Sequence, residues 1–218
     1  MNQHHAVIPV KGLKSGKSRL TTLDSQARYW LNRVQFMQTV RAVKGAFGAQ
    51  CTTVTSSCAE VRELALAEGV RFQLEPQPLG LNGALEACRR RLIAAGAASM
   101  TVVPVDLLQI SRETLCDLLA RAGDAPFIVP DREMKGTNVM RFPLTASFSL
   151  QYGEESFCGH LRALLCEGIF PHVYASSPLN EDLDLPIQLA GLARWLESVY
   201  AANEATASSA LSLSAWSA

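Results

Sequence analysis

The sequence has little charge and no excess of either sign. Of its 218 residues, 18% are charged, and the formal net charge at pH 7 is zero. Domains that bind nucleic acids broadly carry a basic face, so this balance argues against a nucleic-acid partner. Because 48% of the residues are hydrophobic, the composition is that of a globular protein rather than a disordered one.

Long apolar runs and paired cysteines are also missing. No stretch reaches the roughly 20 apolar residues of a transmembrane helix, and no signal peptide is recognisable. The six cysteines contain no C-x-x-C pair and no His/Cys spacing typical of a metal site. We therefore expect no membrane association, a cytoplasmic location, and reduced thiols that lie mostly in the core.

Strand-like and helix-like segments alternate along the first two-thirds of the chain. Strands are predicted at 6–10, 51–55, 70–74, 99–106, 127–129, 137–142 and 170–175. Helices are predicted at 25–47, 59–68, 112–122, 154–166 and 186–200, and a further helix follows a loop at 76–83 and ends near residue 96. This alternation predicts an α/β fold, with a mostly parallel sheet and helices on both faces.

The chain is expected to form one domain, residues 1–200. Residues 201–218 are rich in alanine and serine and are low in charge, which predicts a loosely ordered extension. A short docking helix around Leu211 and Trp216 is the alternative for this segment.

The stretch VIPVKGLKSGKSRL, residues 7–20, looks at first like a Walker phosphate-binding loop. Only three residues separate Gly12 from Gly16, where that pattern requires four, and the next predicted helix begins late, near Ser25. In a true P-loop the helix N-terminus meets the phosphates. The sequence therefore argues against a P-loop kinase.

The same stretch carries a cluster of cations directly after an apolar strand. Lysine acts as a movable point charge for phosphate, and arginine offers a fixed fork of donors. We expect Lys11, Lys17 and Arg19 to hold a triphosphate and to serve catalysis. On charge alone, a solvated basic loop without a function remains the alternative.

Six stretches of the chain form a recognisable series: VIPVKGLKSGKSRL (7–20), GLNGAL (80–85), VVPVDL (102–107), PDREMKGTN (130–138), YGEESFCGHL (152–161) and EDLDLP (181–186). Any one of them is a weak signal, but together they span residues 7 to about 190. In this order they resemble the motifs of the phospho-acid guanylyltransferases (CofC type) of coenzyme F-420 biosynthesis.

The resemblance implies a single-domain, Rossmann-like nucleotidyltransferase fold. It also implies transfer of GMP from GTP to a small phosphorylated three-carbon acid, with release of pyrophosphate and a downstream transferase that accepts the activated product. Residues Gly80, Leu81 and Asn82 would shape a nucleotide-binding loop on the side of the base. A homodimer is the default expectation for such a domain.

Three aspartates are the candidate ligands of Mg²⁺, which prefers carboxylates together with phosphate oxygens and water. Asp106 follows the most apolar predicted strand, where open α/β sheets bind ligands. Asp182 and Asp184 point to one face if their segment is extended. The alternative is that an aspartate only caps a helix, although Ser111 is better placed than Asp106 for the helix at 112–122. The resemblance assigns all three aspartates to the metal, and Asp106 to catalysis.

The resemblance places the phospho-acid at two further stretches. Backbone amides and the threonine of Gly136, Thr137 and Asn138 would meet its phosphate or carboxylate, and Gly153 and Ser156 would line the same pocket. Each stretch taken alone is equally compatible with an ordinary turn. For His160, a packing role stands beside substrate contact.

The chain departs from the family after Asp106, where Leu108 replaces a proline and Gln109 replaces an apolar residue. The family's acids are 2-phospho-L-lactate, phosphoenolpyruvate and 3-phospho-D-glycerate, and the last carries an extra hydroxyl that a polar Gln109 would accommodate. We therefore predict a preference for 3-phospho-D-glycerate. The alternatives in function are another nucleotidyltransferase, of the cytidylyl or sugar-1-phosphate type, and a non-catalytic nucleotide-binding regulator.

Overall fold

The computed structural model describes residues 4–14, 24–75 and 80–182. Within these residues the chain forms one seven-stranded sheet, five α-helices and two short 3-10 helices at Ala49–Cys51 and Pro178–Asn180. In chain order the main elements are β1 (His4–Pro9), α1 (Ser25–Phe47), β2 (Thr52–Ser56), α2 (Ala59–Ala67), β3 (Arg71–Leu74), α3 (Gly80–Ala94), β4 (Ser99–Val102), α4 (Arg112–Ala122), β5 (Phe127–Pro130), β6 (Thr137–Pro143), α5 (Ser156–Cys166) and β7 (His172–Val173).

The strand order is β3-β2-β1-β4-β6-β5-β7, and β6 runs antiparallel to both of its neighbours while the other paired strands are parallel. The carboxyl ends of the parallel strands therefore meet at one edge of the sheet, where β6 begins. The chain moves outward from β1 to β3 and then returns to the other side of β1 as β4. Such a reversal of strand order opens a crevice at the carboxyl edge.

Two apolar cores cover the two faces of the sheet, as the period of two along a strand requires. In β1, Ala6 and Ile8 pack into a core with side chains of α1, α2 and α4. Val7 points to the opposite face, into a core with side chains of α3 and α5. The predicted α/β architecture, mostly parallel with helices on both faces, is confirmed.

Helices α1 and α4 have the predicted boundaries because each begins at a strong capping residue. The Asp24 carboxylate accepts a hydrogen bond from the backbone N–H of Ala27 at 2.7 Å. At α4, Ser111 and Thr114 form a reciprocal capping box, which satisfies two of the donors that a helix start leaves without partners. Ser111, and not Asp106, is thus the cap of this helix.

Several predicted boundaries are wrong. Strand β4 ends at Val102 rather than at 106, because Pro104 has no N–H to donate to the sheet. Helix α5 begins at Ser156 rather than at 154, since Glu155 has a left-handed φ of 55°. Strand β7 is reduced to two residues at the sheet edge. The predicted helix at 186–200 and the extension at 201–218 lie outside the described residues.

The expectation that most cysteines are buried is also wrong. All six are free, but Cys88 is the buried one, whereas Cys158 and Cys166 are exposed. Burial raises the pKa of the Cys88 thiol to about 11, so this thiol is not a nucleophile at neutral pH.

Candidate active site

A cavity of about 400 Å³ opens at the carboxyl edge of the sheet, at the point where the strand order reverses. This volume lies within the range of small-molecule sites. Its walls come from the ends of β1 to β3, from the start of α3 and from the segment after β4. The lining residues are Pro9, Val10, Lys11, Thr55, Ser57, Glu75, Gly80, Leu81, Ala84, Pro104, Val105 and Asp106.

Lys11 and Asp106, two of the predicted catalytic residues, line this cavity together. Lys11 lies two residues after the end of β1 and its side chain is exposed, so its ammonium group can move towards an anion. The backbone N–H of the preceding residue, Val10, donates to the carbonyl of Thr55 at 2.9 Å, which fixes the direction in which the chain leaves the sheet. Lys17 and Arg19 lie outside the described residues.

The segment around Asp106 runs beside the segment around Asp182. Leu107 and Asp182 form an isolated antiparallel bridge, and the N–H of Leu108 donates to the carbonyl of Glu181 at 3.0 Å. Two of the three predicted metal ligands therefore come from segments that touch, although they are far apart in sequence. The third, Asp184, lies outside the described residues.

Gln109 adds a side-chain bond to the same contact. Its exposed amide donates to the carboxylate of Glu181 at 3.1 Å, while Leu108 is buried beneath it. The polar residue that we expected to accommodate a substrate hydroxyl thus binds a neighbouring carboxylate. Gln109 helps to hold the Asp182 segment against the segment that carries Asp106.

Gly80, Leu81 and Asn82 form the first turn of α3, and the expectation that they form a loop is wrong. Gly80 and Leu81 line the cavity, where first-turn N–H groups have no partner within the helix. The side chain of Asn82 instead binds the backbone of Tyr152 twice: its amide donates to the carbonyl at 3.1 Å, and its oxygen accepts from the N–H at 2.7 Å. Asn82 therefore ties the start of α3 to the loop that precedes α5.

The loop before β6 is organised by Asp131. Its carboxylate accepts from the N–H of Lys135 at 2.9 Å and from the N–H of Gly136 at 2.7 Å. A Cβ atom at Gly136 would lie 2.6 Å from the nearer carboxylate oxygen. The glycine thus permits a close approach, as expected, but the group that approaches it is Asp131.

Thr137, Asn138 and Ser156 lie together at the start of β6 and of α5, and all three are buried. The Thr137 N–H donates to the Ser156 hydroxyl oxygen at 2.9 Å, and the Asn138 amide donates to the carbonyl of Leu179 at 2.8 Å. The amides of Gly136 and Thr137, which the resemblance gives to the substrate, therefore have partners within the protein. Gly153, with a φ of 146°, makes the turn into α5.

His160 is fully buried behind this group. Its Nδ1 lies 2.9 Å from the Thr137 hydroxyl oxygen, and its Nε2 lies 2.9 Å from the backbone nitrogen of Gln151. Burial lowers the pKa of the imidazole to about 4. The packing role predicted for His160 is thus observed, whereas direct substrate contact stays untested, and the ring bonds to Thr137, a predicted substrate residue.

Ser57 and Glu75 in the cavity wall and Asp131 in the loop before β6 were not predicted from the sequence. Glu75 directly follows β3 and Asp131 directly follows β5, and ligands bind at the carboxyl ends of parallel strands. That position is a weak signal, because acidic side chains after strands are common in loops.

Within the described ranges there is no group of three or more His, Cys, Asp or Glu side chains that could hold a metal ion. The predicted metal set is not tested by that result, because Asp184 falls outside these ranges. Among the described residues, no helix combines the length and the apolar character needed to cross a membrane.

Solved structures of similar shape define the fold. One is a nucleotidyl transferase from Methanothermobacter (TM-score 0.62, 19% identity, 91% of this chain and 100% of that chain covered). Another is a 4-diphosphocytidyl-2C-methyl-D-erythritol synthase (TM-score 0.60, 14% identity, 90% and 99% covered). The fold is that of the Rossmann-like nucleotidyltransferases.

The chain belongs to the family described as guanylyl transferase CofC like, whose model matches residues 4–200. It is 35% identical over 192 residues to a phosphoenolpyruvate guanylyltransferase from Rubrobacter xylanophilus, covering 86% of this chain and 92% of that protein. It is 29% identical to a 3-phospho-D-glycerate guanylyltransferase from Phenylobacterium zucineum (87% and 89% covered) and 29% identical to a 2-phospho-L-lactate guanylyltransferase from Methanothermobacter thermautotrophicus (82% and 79% covered). The resemblance found in the sequence is confirmed.

Proposed function

We propose that the protein transfers GMP from GTP to a small phosphorylated three-carbon acid and releases pyrophosphate, in the biosynthesis of coenzyme F-420 or a variant of it. The observation that carries the proposal is that Lys11 and Asp106 line one cavity while the Asp182 segment is bridged beside it. The guanylyltransferase names of the relatives support the reaction and the choice of nucleotide.

The reaction joins two anions. A phosphate oxygen of the acid attacks the α-phosphorus of GTP, the bond from that phosphorus to the oxygen bridging to the β-phosphate breaks, and the electron pair leaves with pyrophosphate. The second pKa of a phosphate monoester is about 6, so the nucleophile is ionised at neutral pH and needs no general base. The barrier is charge repulsion, which cations reduce.

The cations of the first loop are suited to the triphosphate. Lys11 stands at the mouth of the cavity, and we assign it to the phosphates of GTP. Lys17 and Arg19 follow Lys11 closely in the sequence, and we assign them the same role, because cationic side chains offset the negative charge of a triphosphate.

The acidic residues are suited to Mg²⁺. The bridge between Leu107 and Asp182 brings together two carboxylate-bearing segments, and their hard oxygen donors are the ligands that Mg²⁺ prefers. We propose Asp106, Asp182 and Asp184 as its protein ligands. When bound, the ion would neutralise charge on the phosphates and help to align them.

The two substrates are proposed to bind at separate places along the carboxyl edge of the sheet. The cavity takes the nucleotide, with Gly80 and Leu81 in its wall and Asn82 holding the helix start in place. The start of β6 and the turn into α5 take the acid. The hydroxyl groups of Thr137 and Ser156 are the side-chain donors available there, since the neighbouring amides have partners.

The relatives act on three different acids according to their names. We propose 3-phospho-D-glycerate as the preferred substrate, because Gln109 supplies an amide beside the aspartate segment that an apolar residue would not. Because Gln109 donates a hydrogen bond to Glu181, the extra hydroxyl of 3-phospho-D-glycerate would bind to Gln109 and Glu181 together rather than to Gln109 alone.

The product contains a new phosphoanhydride bond between the acid and GMP. We therefore propose that the enzyme that uses it is a transferase, which passes the phospho-acid group to an acceptor and releases GMP. The free cysteines agree with a reducing, cytoplasmic location, which we include in the proposal. The homodimer stays a prediction that sedimentation equilibrium would check.

The test is an assay of the purified protein with Mg²⁺, each of the four nucleoside triphosphates, and each of the three acids or a sugar 1-phosphate, with the products identified by mass. A product containing GMP and one acid, formed with GTP alone, supports the proposal. Equal turnover of CTP or of a sugar 1-phosphate would replace it with another nucleotidyltransferase. Nucleotide binding without turnover of any acid would favour a regulator.

A further inference from the structure

The ring of His160 is held by two hydrogen bonds that determine which of its nitrogens carries the proton. The backbone N–H of Gln151 can only donate, so Nε2, 2.9 Å from it, must accept and must be unprotonated. Burial lowers the pKa of the ring to about 4, so the ring is neutral at pH 7. A neutral imidazole with an unprotonated Nε2 carries its hydrogen on Nδ1.

This tautomer determines how Thr137 uses its hydroxyl group. The Nδ1–H of His160 donates to the Thr137 oxygen, 2.9 Å away, so the hydroxyl cannot donate to the ring and its hydrogen must point elsewhere. Among the hydrogen bonds of the described residues, that hydrogen has no other acceptor. Thr137 as a whole residue is 7% exposed, so part of it is open to a group from outside.

The neighbouring hydroxyl is arranged in the same way. The Ser156 oxygen accepts from the backbone N–H of Thr137 at 2.9 Å, so one of its lone pairs is used and its hydrogen is available. The Thr137 hydroxyl thus accepts from His160, and the Ser156 hydroxyl accepts from the Thr137 N–H. A ligand that bonds to the hydrogens of both hydroxyls must be an acceptor, as an anionic oxygen is.

We propose that His160 is a positioning residue that orients the Thr137 hydroxyl as a hydrogen-bond donor to an anionic oxygen of the phospho-acid. The inference rests on the proposed function, because it takes the acid to bind at Thr137 and Ser156. His160 itself touches neither substrate. Its ring is clamped from the sides by Tyr152, whose ring centroid is 4.8 Å away, and by Phe148 at 6.5 Å.

The test is a double-mutant cycle with His160→Phe and Thr137→Val, measuring KM separately for the acid and for GTP. Each single variant should raise the KM of the acid by about tenfold or more, since one hydrogen bond to a charged group is lost, and should change the KM of GTP by no more than about twofold. Because His160 acts through the Thr137 hydroxyl, the double variant should be no worse for the acid than Thr137→Val alone.

Two further variants control for folding. In His160→Gln, the amide oxygen can accept from Gln151 while the amide nitrogen donates to Thr137, so the KM of the acid should stay near that of the parent. Thr137→Ser retains the donor hydroxyl, so it should raise the KM of the acid by less than Thr137→Val does. Thermal unfolding of all variants separates lost stability from lost binding.

The tautomer can be measured without any activity, by ¹⁵N NMR of histidine-labelled protein. A protonated Nδ1 and an unprotonated Nε2 at pH 7 support the inference, and the opposite tautomer overturns it. If the parent turns over an acid, an unchanged acid KM in His160→Phe, or effects that multiply in the double variant, also overturns it. A parent that turns over none of the acids overturns the proposed function, and with it the role of His160.

Discussion

Leu107 and Asp182 form an antiparallel bridge that joins two loops far apart in sequence. The bridge places Asp106 one residue from the contact, while the cap of the next helix is provided by Ser111. The carboxylate of Asp106 is therefore not needed to start α4. Asp106→Asn can therefore be tested without loss of the α4 cap.

Asp106→Asn should reduce kcat by about 10³-fold or more, because a metal ion that it holds would supply several kcal/mol of charge stabilisation. Thermal unfolding should remain close to that of the parent. The matched control is Ser111→Ala, which should lower the unfolding free energy by about 1 kcal/mol through loss of the cap and leave kcat nearly unchanged. An Asp106→Asn variant with parental kcat would remove Asp106 from the metal site.

Lys11→Ala should raise the KM of GTP about tenfold, since a charge-assisted contact to phosphate is lost. Lys14→Ala is the control, because Lys14 is exposed in the same loop and is not among the residues that line the cavity. Measurements at low and high salt should show the Lys11 effect shrinking with ionic strength. Equal effects of the two substitutions would point to a general attraction by the loop.

Gly136→Ala should destabilise the protein by about 1–3 kcal/mol, because the added Cβ would lie 2.6 Å from the Asp131 carboxylate and would disrupt the hydrogen bonds that this carboxylate accepts from Lys135 and Gly136. The KM of the acid should rise as the start of β6 shifts. The measurement is urea denaturation together with steady-state kinetics. In an Asp131→Ala background the same glycine substitution should cost much less, and an equal cost in both backgrounds would refute the clash.

The stability of the protein should fall as the pH is lowered from about 6.5 to about 4. The ordinary pKa of histidine is about 6.5, and burial lowers that of His160 to about 4. In this window the unfolded chain binds a proton that the folded chain does not, so acid favours unfolding. The expected loss is about 3 kcal/mol once the pH is below both pKa values.

Urea denaturation of the parent and of His160→Gln at several pH values checks this prediction. Other groups that titrate in the window affect both proteins alike, so the difference between the two isolates His160. The parent should lose more stability than the variant below pH 6.5. Parallel curves would show that His160 has an ordinary pKa.

Replacing Leu108 and Gln109 by Pro and Leu should lower the use of 3-phospho-D-glycerate relative to the other two acids. The change removes the amide that bonds to Glu181, and it also removes the N–H of residue 108 that donates to the Glu181 carbonyl. Gln109→Leu alone retains the backbone bond and is the control. The measurement is the ratio of kcat/KM values for the three acids, and an unchanged ratio would discard the preference.

The sequence was most informative where structure depends on neighbours along the chain. The predicted bounds of helix α1, 25–47, match the structure, in which a long helical pattern is capped by Asp24. The predicted extension of β4 to Asp106 is wrong, because Pro104 has no N–H to donate to the sheet. Even so, Asp106 was expected at the carboxyl edge, and the cavity lies there.

The roles of Asn82 and His160 could not be predicted from local patterns. Asn82 was expected in a nucleotide loop, but its side chain bonds to the backbone of Tyr152. His160 is defined by contacts with Thr137 and Gln151. Such bonds join residues that only the folded chain brings together, and no spacing rule encodes them.

The two hydrogen bonds between the Asn82 side chain and the Tyr152 backbone have a mechanical consequence. One side chain couples the start of α3, which lines the cavity, to the turn before α5. With the proposed substrates bound at these two elements, the two hydrogen bonds would limit how far the reacting phosphates can move apart. We therefore expect residues inserted between β6 and Tyr152 to leave this spacing unchanged.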